Sequence, residues 1–414
     1  GRQIGQRVVA HRGPGGTLEA RKPGFIVGSV EIEVAGSAVE GVEVRLVATE
    51  TPLDEIVVTA SHSILREEPT STVGLGREQI RELPHFGDDL FRALTVLPGT
   101  SGGNISAAFN VRGGFYQEVL ARIDGQEVIE PFHLKDFQSV FSILAPQIVS
   151  GVELTPGGYP AEFGDRMTGV LDMRTVRPTR QRTQLGVSFS NLWAGSGGTF
   201  ADDRGAWLVS ARRGYLDLVL AIADDEEDED EEPPVPRYWD LFGKLDYDLT
   251  GSQSLGLRVL AAEDTIDFRE MEDDELFDVD TAYGNAYAWA THQALLGRST
   301  YVDSLLSVGG LDRDRDALLS EEQPAERVRV LDRRDTELTT LRQDWGHQIG
   351  DGHLLRWGFE LRLWDVTYDY ANEVSLENPI DDPRFLPGER LTEFADAYSS
   401  EQYAVYAADR LRFG

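Results

Sequence analysis

Few residues of this 414-residue chain sit at a spacing that chemistry could use. His347 and His353 stand six apart across Ile349-Gly350-Asp351-Gly352, where a turn is a better reading than a metal pair. No Cys is present, which removes disulfides, thiolate nucleophiles and cysteine-ligated metals together. The patterns HExxH, GxSxG and GxxxxGK[ST] are missing, so the expectation is a non-enzymatic protein without cofactor or metal. Nine consecutive carboxylates run from Asp224 to Glu232, ahead of Pro233-Pro234-Val235-Pro236. Hard cations take such oxygens, but the DxDxDG-type spacing is absent, and a solvated, self-repelling loop is the plainer reading. A second acidic cluster at 270–280 would repel anionic solutes at a distance. Asn104-Ile105-Ser106 is a glycosylation sequon by chance.

Charge narrows the partners. Against 72 Asp+Glu the chain carries 39 Lys+Arg, a formal charge of −33. A nucleic-acid binder needs the opposite sign. A 41% hydrophobic fraction excludes wholesale disorder. The longest apolar candidate, Tyr215 to Ala223, is interrupted by Asp217 and is too short for a helical span. A membrane β-barrel stays open, because its strands look polar on average. The chain starts at Gly1 without a signal-like segment and stops inside an alternating stretch, so it reads as an internal piece of something longer.

The elements that carry these residues differ along the chain. Phe25 to Val47 alternates apolar and polar at period two, and Pro52 closes it. Residues 54–60, "DEIVVTA", form a short apolar segment of their own. Residues 61–178 mix short strands with many glycines and one helix, Asp88 to Leu97, with two acids in its first turn. Beyond about 183, long stretches alternate strictly. Trp239, Leu241, Gly243, Leu245, Tyr247 and Leu249 are interleaved with Asp240, Phe242, Lys244, Asp246 and Asp248. Leu355 to Leu363 repeats the pattern against Arg356, Gly358, Glu360 and Arg362. Short links at 201–205, 250–253, about 298–303 and 349–352 alternate with long ones at 221–237, 265–281, 316–330 and 369–399. An outer-membrane barrel has short turns on one side and long loops on the other. Tyr238, Trp239, Trp345, Trp357 and Trp364 at strand ends suit an interfacial girdle. The competing reading is a soluble antiparallel β-protein with amphipathic strands.

Four segments in order resemble the TonB-dependent outer-membrane receptor family. "DEIVVTA" resembles the TonB box. "RELPHFGDDLFRALTVLPGTS" at 81–101 resembles the start of the plug domain. "FNVRGGFYQEVLARIDGQEV" at 109–128 carries the Arg-Gly and Asp-Gly pairs, and "GVELTPGGYPAEFGDRMTGVLDMRT" at 151–175 resembles the closing plug strands. The β-rich start resembles the tail of a carboxypeptidase-regulatory-like domain. The resemblance implies a mainly β protein: residues 1–53 end the regulatory-like domain, 54–60 are the box, 61–178 an α/β plug, and 179–414 part of a transmembrane antiparallel β-barrel. A complete barrel has ~22 strands; about ten are counted here.

The resemblance also implies roles. Asp54, Glu55, Ile56, Val57, Val58, Thr59 and Ala60 would bind the TonB energy-coupling protein. Their β-branched centre suits an extended strand added to a partner's sheet edge; an ordinary interdomain strand is the plainer alternative. Gly113, Gly114, Gly125, Gly157, Gly158, Gly164 and Gly169 read as turn or close-approach residues of the plug, with Asp124 before Gly125. Arg112 and Arg166 are expected to pair with inward carboxylates such as Glu360, against the alternative of solvated surface arginines. The expected location is the outer membrane, with the plug facing the periplasm and lipid around the barrel. The expected function is energy-coupled uptake of a scarce ligand: ferric siderophore, cobalamin, glycan or peptide. The runner-up is a secreted multidomain β-protein that binds carbohydrate or calcium, or a secreted hydrolase.

Overall fold

The computed structural model describes residues 16–20 and 28–32 and, with short interruptions, 72–216, 232–376 and 388–411. The chain divides into two units at Ile56. In the first, β1 (Gly16–Ala20) pairs antiparallel with β2 (Gly28–Ile32). Residues 54–60 and Arg166 lie outside the described residues, as does the acid run up to Glu231.

The second unit begins with a small domain. Its strands are β3 (Val73–Gly76), β4 (Thr100–Gly102), β5 (Phe109–Val111), β6 (Val119–Ile123), β7 (Gln126–Glu127), β8 (Phe132–His133), β9 (Phe141–Ser142), β10 (Val149–Thr155) and β11 (Gly169–Thr175). Five of them form one sheet in the order β3-β10-β11-β6-β7, with β6 and β11 parallel. The expected helix runs Leu90–Ala93 and tightens over Leu94–Val96. Asp89 is its N-cap rather than part of its first turn: the carboxylate accepts from Phe91 N at 2.9 Å and Arg92 N at 3.1 Å. A second short helix, Arg77–Glu82, has no counterpart in the sequence reading. Ile80, Leu90, Phe91, Leu94, Ile123, Leu154 and Leu171 form the core, which continues without a break into Phe242, Leu260, Trp289 and Leu305 of the large sheet. Burial of shared apolar surface is what seats the plug against the wall.

The wall is one sheet of ten strands in sequence order. They are β12 (Arg182–Val187), β13 (Asn191–Phe200), β14 (Gly205–Gly214), β15 (Glu232–Thr250), β16 (Gln253–Glu272), β17 (Glu275–Leu296), β18 (Thr300–Glu322), β19 (Ala325–Ile349), β20 (His353–Leu376) and β21 (Gly388–Leu411). Each pairs antiparallel with the next, and among the described residues β12 and β21 each have one neighbour in this sheet. The expected count of ten holds. The expected long links do not: most of 265–281 and 316–330 is strand, and β16–β17 and β18–β19 register continuously to Glu272↔Glu275 and Glu322↔Ala325. At about 3.3 Å per residue, β19 is about 80 Å long, against an apolar band of about 25 Å. Its far half pairs through Arg329–Asp316 and Arg333–Asp314, at 2.7 and 3.1 Å.

Alternation settles which face is which. Leu245, Leu257, Val259, Leu306, Val308 and Phe359 are exposed, whereas Asp240, Phe242, Asp246, Leu260 and Asp264 between them are buried. A soluble sheet buries its apolar face; this one shows it outward and covers the charged one. That excludes the soluble β-protein. Of the five girdle aromatics, Trp239 and Trp357 are exposed, and Trp345 stacks on Trp357 with centroids 6.0 Å apart. Tyr238 is buried beneath the plug and Trp364 lines an inner cavity, so these two are corrected to the lumen side. No helix among the described residues is long and apolar enough to cross a membrane.

Candidate functional site: the interface between plug and wall

The plug meets the wall through several polar and charged clusters, each drawing on inward positions of the alternating strands. The first centres on the turn between β6 and β7. Asp124 and Gly125 both take positive φ, 44° and 89°, as a two-residue hairpin turn demands, which is why Asp-Gly stands there. The Asp124 carboxylate accepts from Thr175 N at 2.8 Å and Thr175 Oγ1 at 2.5 Å. From the wall come Arg258 Nε at 3.3 Å and Lys244 Nζ at 3.4 Å. Asp246 shares both cations, at 2.8 and 3.3 Å, so the buried group is neutral overall. Burial pushes the Asp124 carboxyl up, but Lys244, Arg258 and the Thr175 hydrogen bonds outweigh it and hold it well below the usual carboxylate range. Arg342 donates to the Gly125 carbonyl at 3.0 Å from the other side.

The second cluster lies along β19–β21. Arg356 of the wall pairs with Glu162 of the plug and donates to Tyr301 Oη at 3.1 Å. Arg362 bridges Glu127 of the plug at 2.6 Å and Glu360 of its own strand at 2.7 Å. Between these groups lies a cavity of about 650 Å³, lined in part by Arg122, Glu127, Glu162, Arg342, Asp344 and Arg362. Arg122 holds Asp172 in a two-point pair at 2.6 and 2.8 Å and lies over Phe163. The third cluster seats the 130–139 loop. Tyr283 donates to Asp136 at 2.6 Å, Asn285 to the Glu130 carbonyl at 3.1 Å, and Ile129 N to Tyr287 Oη at 3.1 Å.

The residues singled out from sequence are distributed unevenly over this interface. Asp124 and Gly125 are at its centre. Gly114 sits where an added Cβ would fall 1.9 Å from the Thr168 methyl, a close approach only glycine permits. Gly113 and Gly158 take φ of 79° and 70°, and the Arg112 guanidinium lies against Gly157. Gly169 opens β11 and Gly164 faces open space. Arg112 and Glu360 are not brought together: Glu360 pairs with Arg362, and the wall takes Glu162 and Glu127 from the plug instead. At Glu127 and Glu162 the polarity is the reverse of the expectation, with carboxylates on the plug and arginines on the wall. His347 contacts Thr300 Oγ1 and His353 contacts Asp409, so the two point to different strands. Lys244, Arg258, Arg356, Glu162 and His133 were missed. Lys244, Arg258 and Arg356 had one sequence signal, a charge among the inward positions of an alternating strand; Glu162 and His133, in the plug, had none.

No protein-family model matches the sequence, and no curated protein does. Solved structures do resemble it. The ferric yersiniabactin uptake receptor of Yersinia pestis superposes with a TM-score of 0.54 at 13% identity, over 82% of this chain and 61% of its own. An outer-membrane transporter of Escherichia coli gives 0.59 at 11%, over 83% and 55%. The ferric preacinetobactin receptor of Acinetobacter baumannii gives 0.54 at 11%, over 84% and 56%. The fold is therefore that of the plugged β-barrel receptors of the outer membrane. The chain spans between 55% and 61% of the length of these three structures.

Proposed function

We propose that this protein is a TonB-dependent outer-membrane receptor that takes up a scarce ligand into the periplasm by energy-coupled movement of its plug. The single observation that carries the reading is a compact domain bound inside a wall whose outer face is apolar. It is held there by a shared apolar core together with neutral clusters of buried charges. Such clusters are strong when complete and fail steeply when one member is displaced. That is the property a removable stopper needs. Two of the solved structures take ferric yersiniabactin and ferric preacinetobactin, which supports a ferric siderophore ahead of cobalamin, glycan or peptide. Residues 54–60 are the proposed grip for the TonB energy-coupling protein, through strand addition.

The test is a contrast of two substitutions. Val57→Pro removes a backbone donor and fixes φ, so an added strand loses a ladder bond. Val57→Thr keeps the donor and the β-branched shape. Uptake of radioiron supplied as ferric siderophores is expected to stop in the first variant and persist in the second, with surface binding intact in both. Undiminished uptake with proline at 57 shows that the segment is only a linker.

A further inference from the structure

His133, in β8 of the plug, has no solvent exposure. Both ring nitrogens face carboxylates of the wall. Nε2 lies 3.3 Å from Asp240 Oδ2, and Nδ1 lies 3.4 Å from Asp264 Oδ1. A neutral imidazole has one N–H and one lone pair, so one of these contacts would set a lone pair against a carboxylate oxygen. Only the imidazolium donates to both. Charge balance points the same way. Asp240 also accepts from Arg212 Nε at 2.6 Å, whereas Asp264 accepts otherwise from the backbone N–H of Leu134 at 3.0 Å. Arg212, His133, Asp240 and Asp264 are all buried, and with both carboxylates ionised their charges sum to zero only when the ring is protonated. A neutral ring would leave a net negative charge away from water.

The other titratable groups around the ring do not change that sum. Tyr238 lies against the imidazole with ring centroids 4.6 Å apart. One layer further, Asp89 and Arg92 offset each other, and Asp89 accepts from Ser142 N at 2.6 Å. The loop that His133 anchors is itself held in an unfavourable conformation. Glu130, Leu134, Gln138 and Ser139 take φ of 47°, 54°, 60° and 50°. Non-glycine residues keep the left-handed region only where their surroundings hold them there. Here the side chain of His133 and the backbone of Leu134 secure the loop on the same carboxylate.

We propose that His133 is a proton-dependent clamp between plug and wall. As an imidazolium it ties the 130–139 loop to Asp240 on β15 and Asp264 on β16. Loss of the proton leaves a lone pair facing a carboxylate and frees the loop. The clamp thus closes when the site holds the proton and loosens when the proton is lost. It adds a control to the proposed plug movement without depending on which ligand is carried.

The experiment is hydrogen exchange of amides in 128–144, in the ligand-free protein in outer-membrane vesicles. It runs from about pH 5 to about pH 9, with each rate divided by the intrinsic chemical rate. Protection should fall by about tenfold or more in a single proton step as pH rises, the scale of one lost charged hydrogen bond. His133→Gln keeps a neutral donor and should abolish the step. Asp264→Asn removes one anionic partner and should move the step to lower pH. A flat profile in the unaltered protein overturns the clamp, and so does a step that survives unchanged in both variants. Neither ligand nor energy source is present, so these outcomes are independent of whether transport occurs.

Discussion

Replacing Asp124 by Ala should loosen the plug far more than any change at an exposed ion pair of equal length. The carboxylate is 8% exposed and meets Lys244, itself 6% exposed, at 3.4 Å. Without it, Lys244 and Arg258 share only Asp246, and Thr175 loses two hydrogen bonds. Removing one partner of a buried ion cluster costs about 3–5 kcal/mol. The pair Arg174–Glu153 is shorter, 3.0 Å, but its side chains are 31% and 49% exposed. Deleting Glu153 should cost about 0–1 kcal/mol. Distance ranks the two the wrong way round; burial decides. A loss of about 3–5 kcal/mol is about two to three and a half powers of ten in the opening equilibrium. Hydrogen exchange of the amides of β6, β7 and β11, compared between Asp124→Ala and Glu153→Ala, reads that ratio. Asp124→Asn keeps one acceptor for Thr175 while removing the charge and the second acceptor oxygen, so it should fall between them. Equal protection in the two Ala variants would refute the reasoning. The pH sign follows from the depressed carboxyl: its contribution is fully present above the unfolded value of about 3.9 and is lost as pH falls through the lower folded value.

Two further expectations concern the wall. Asp267, Asp280 and Asp316 stand directly opposite one another across β16, β17 and β18, outside the apolar band. Burial first, then Asp267, Asp314, Asp316 and Asp278, push the Asp280 carboxyl up. The folded state therefore binds this proton more tightly than the unfolded chain. Stability gained from Asp280 is complete below about pH 3.9 and declines as pH rises through the folded value. Asp280→Asn should flatten that part of the denaturation-versus-pH curve; an unchanged curve sinks the idea. Leu257→Arg should destabilise the wall in vesicles by about 2–4 kcal/mol, because it puts a cation into lipid. Its neighbour Arg258, one position on, is a native cation on the inner face. Undiminished folding of Leu257→Arg in a gel-shift assay would mean that this face does not meet lipid.

How much of this could be read from residues depends on which physical signal each element carries. Strands β15 and β20 declared themselves, because Trp239-Leu241-Leu245 and Leu355-Trp357-Phe359 alternate apolar with polar across a lipid-facing wall. The helix after Asp89 was legible from the two acids at its start and its Pro98-Gly99 stop, though Asp89 proved to be its cap rather than part of its first turn. The far halves of β16 to β20 were not. There both faces are wet, so Asp and Arg occupy outward positions, and the hydropathic period of two disappears although the pairing continues. Residues such as Asp314 and Asp316 look like loop until their arginine partners on the next strand are known.

The clusters between plug and wall mark the limit. Amino-acid order alone determined that the chain alternates, that Gly125 is a turn or close-approach residue, and that many inward positions carry charge. It did not determine which charges meet. Asp124 is 134 residues from Arg258, His133 is 131 from Asp264, and Glu162 is 194 from Arg356. A buried pair is selected by where two rigid elements bring side chains together out of water, and by the requirement that each pocket of charge sum to zero there. Arg112 and Glu360 satisfied every local criterion for pairing. The seating of the plug gave Glu360 to Arg362 on its own strand and left the wall's arginines for Glu127 and Glu162.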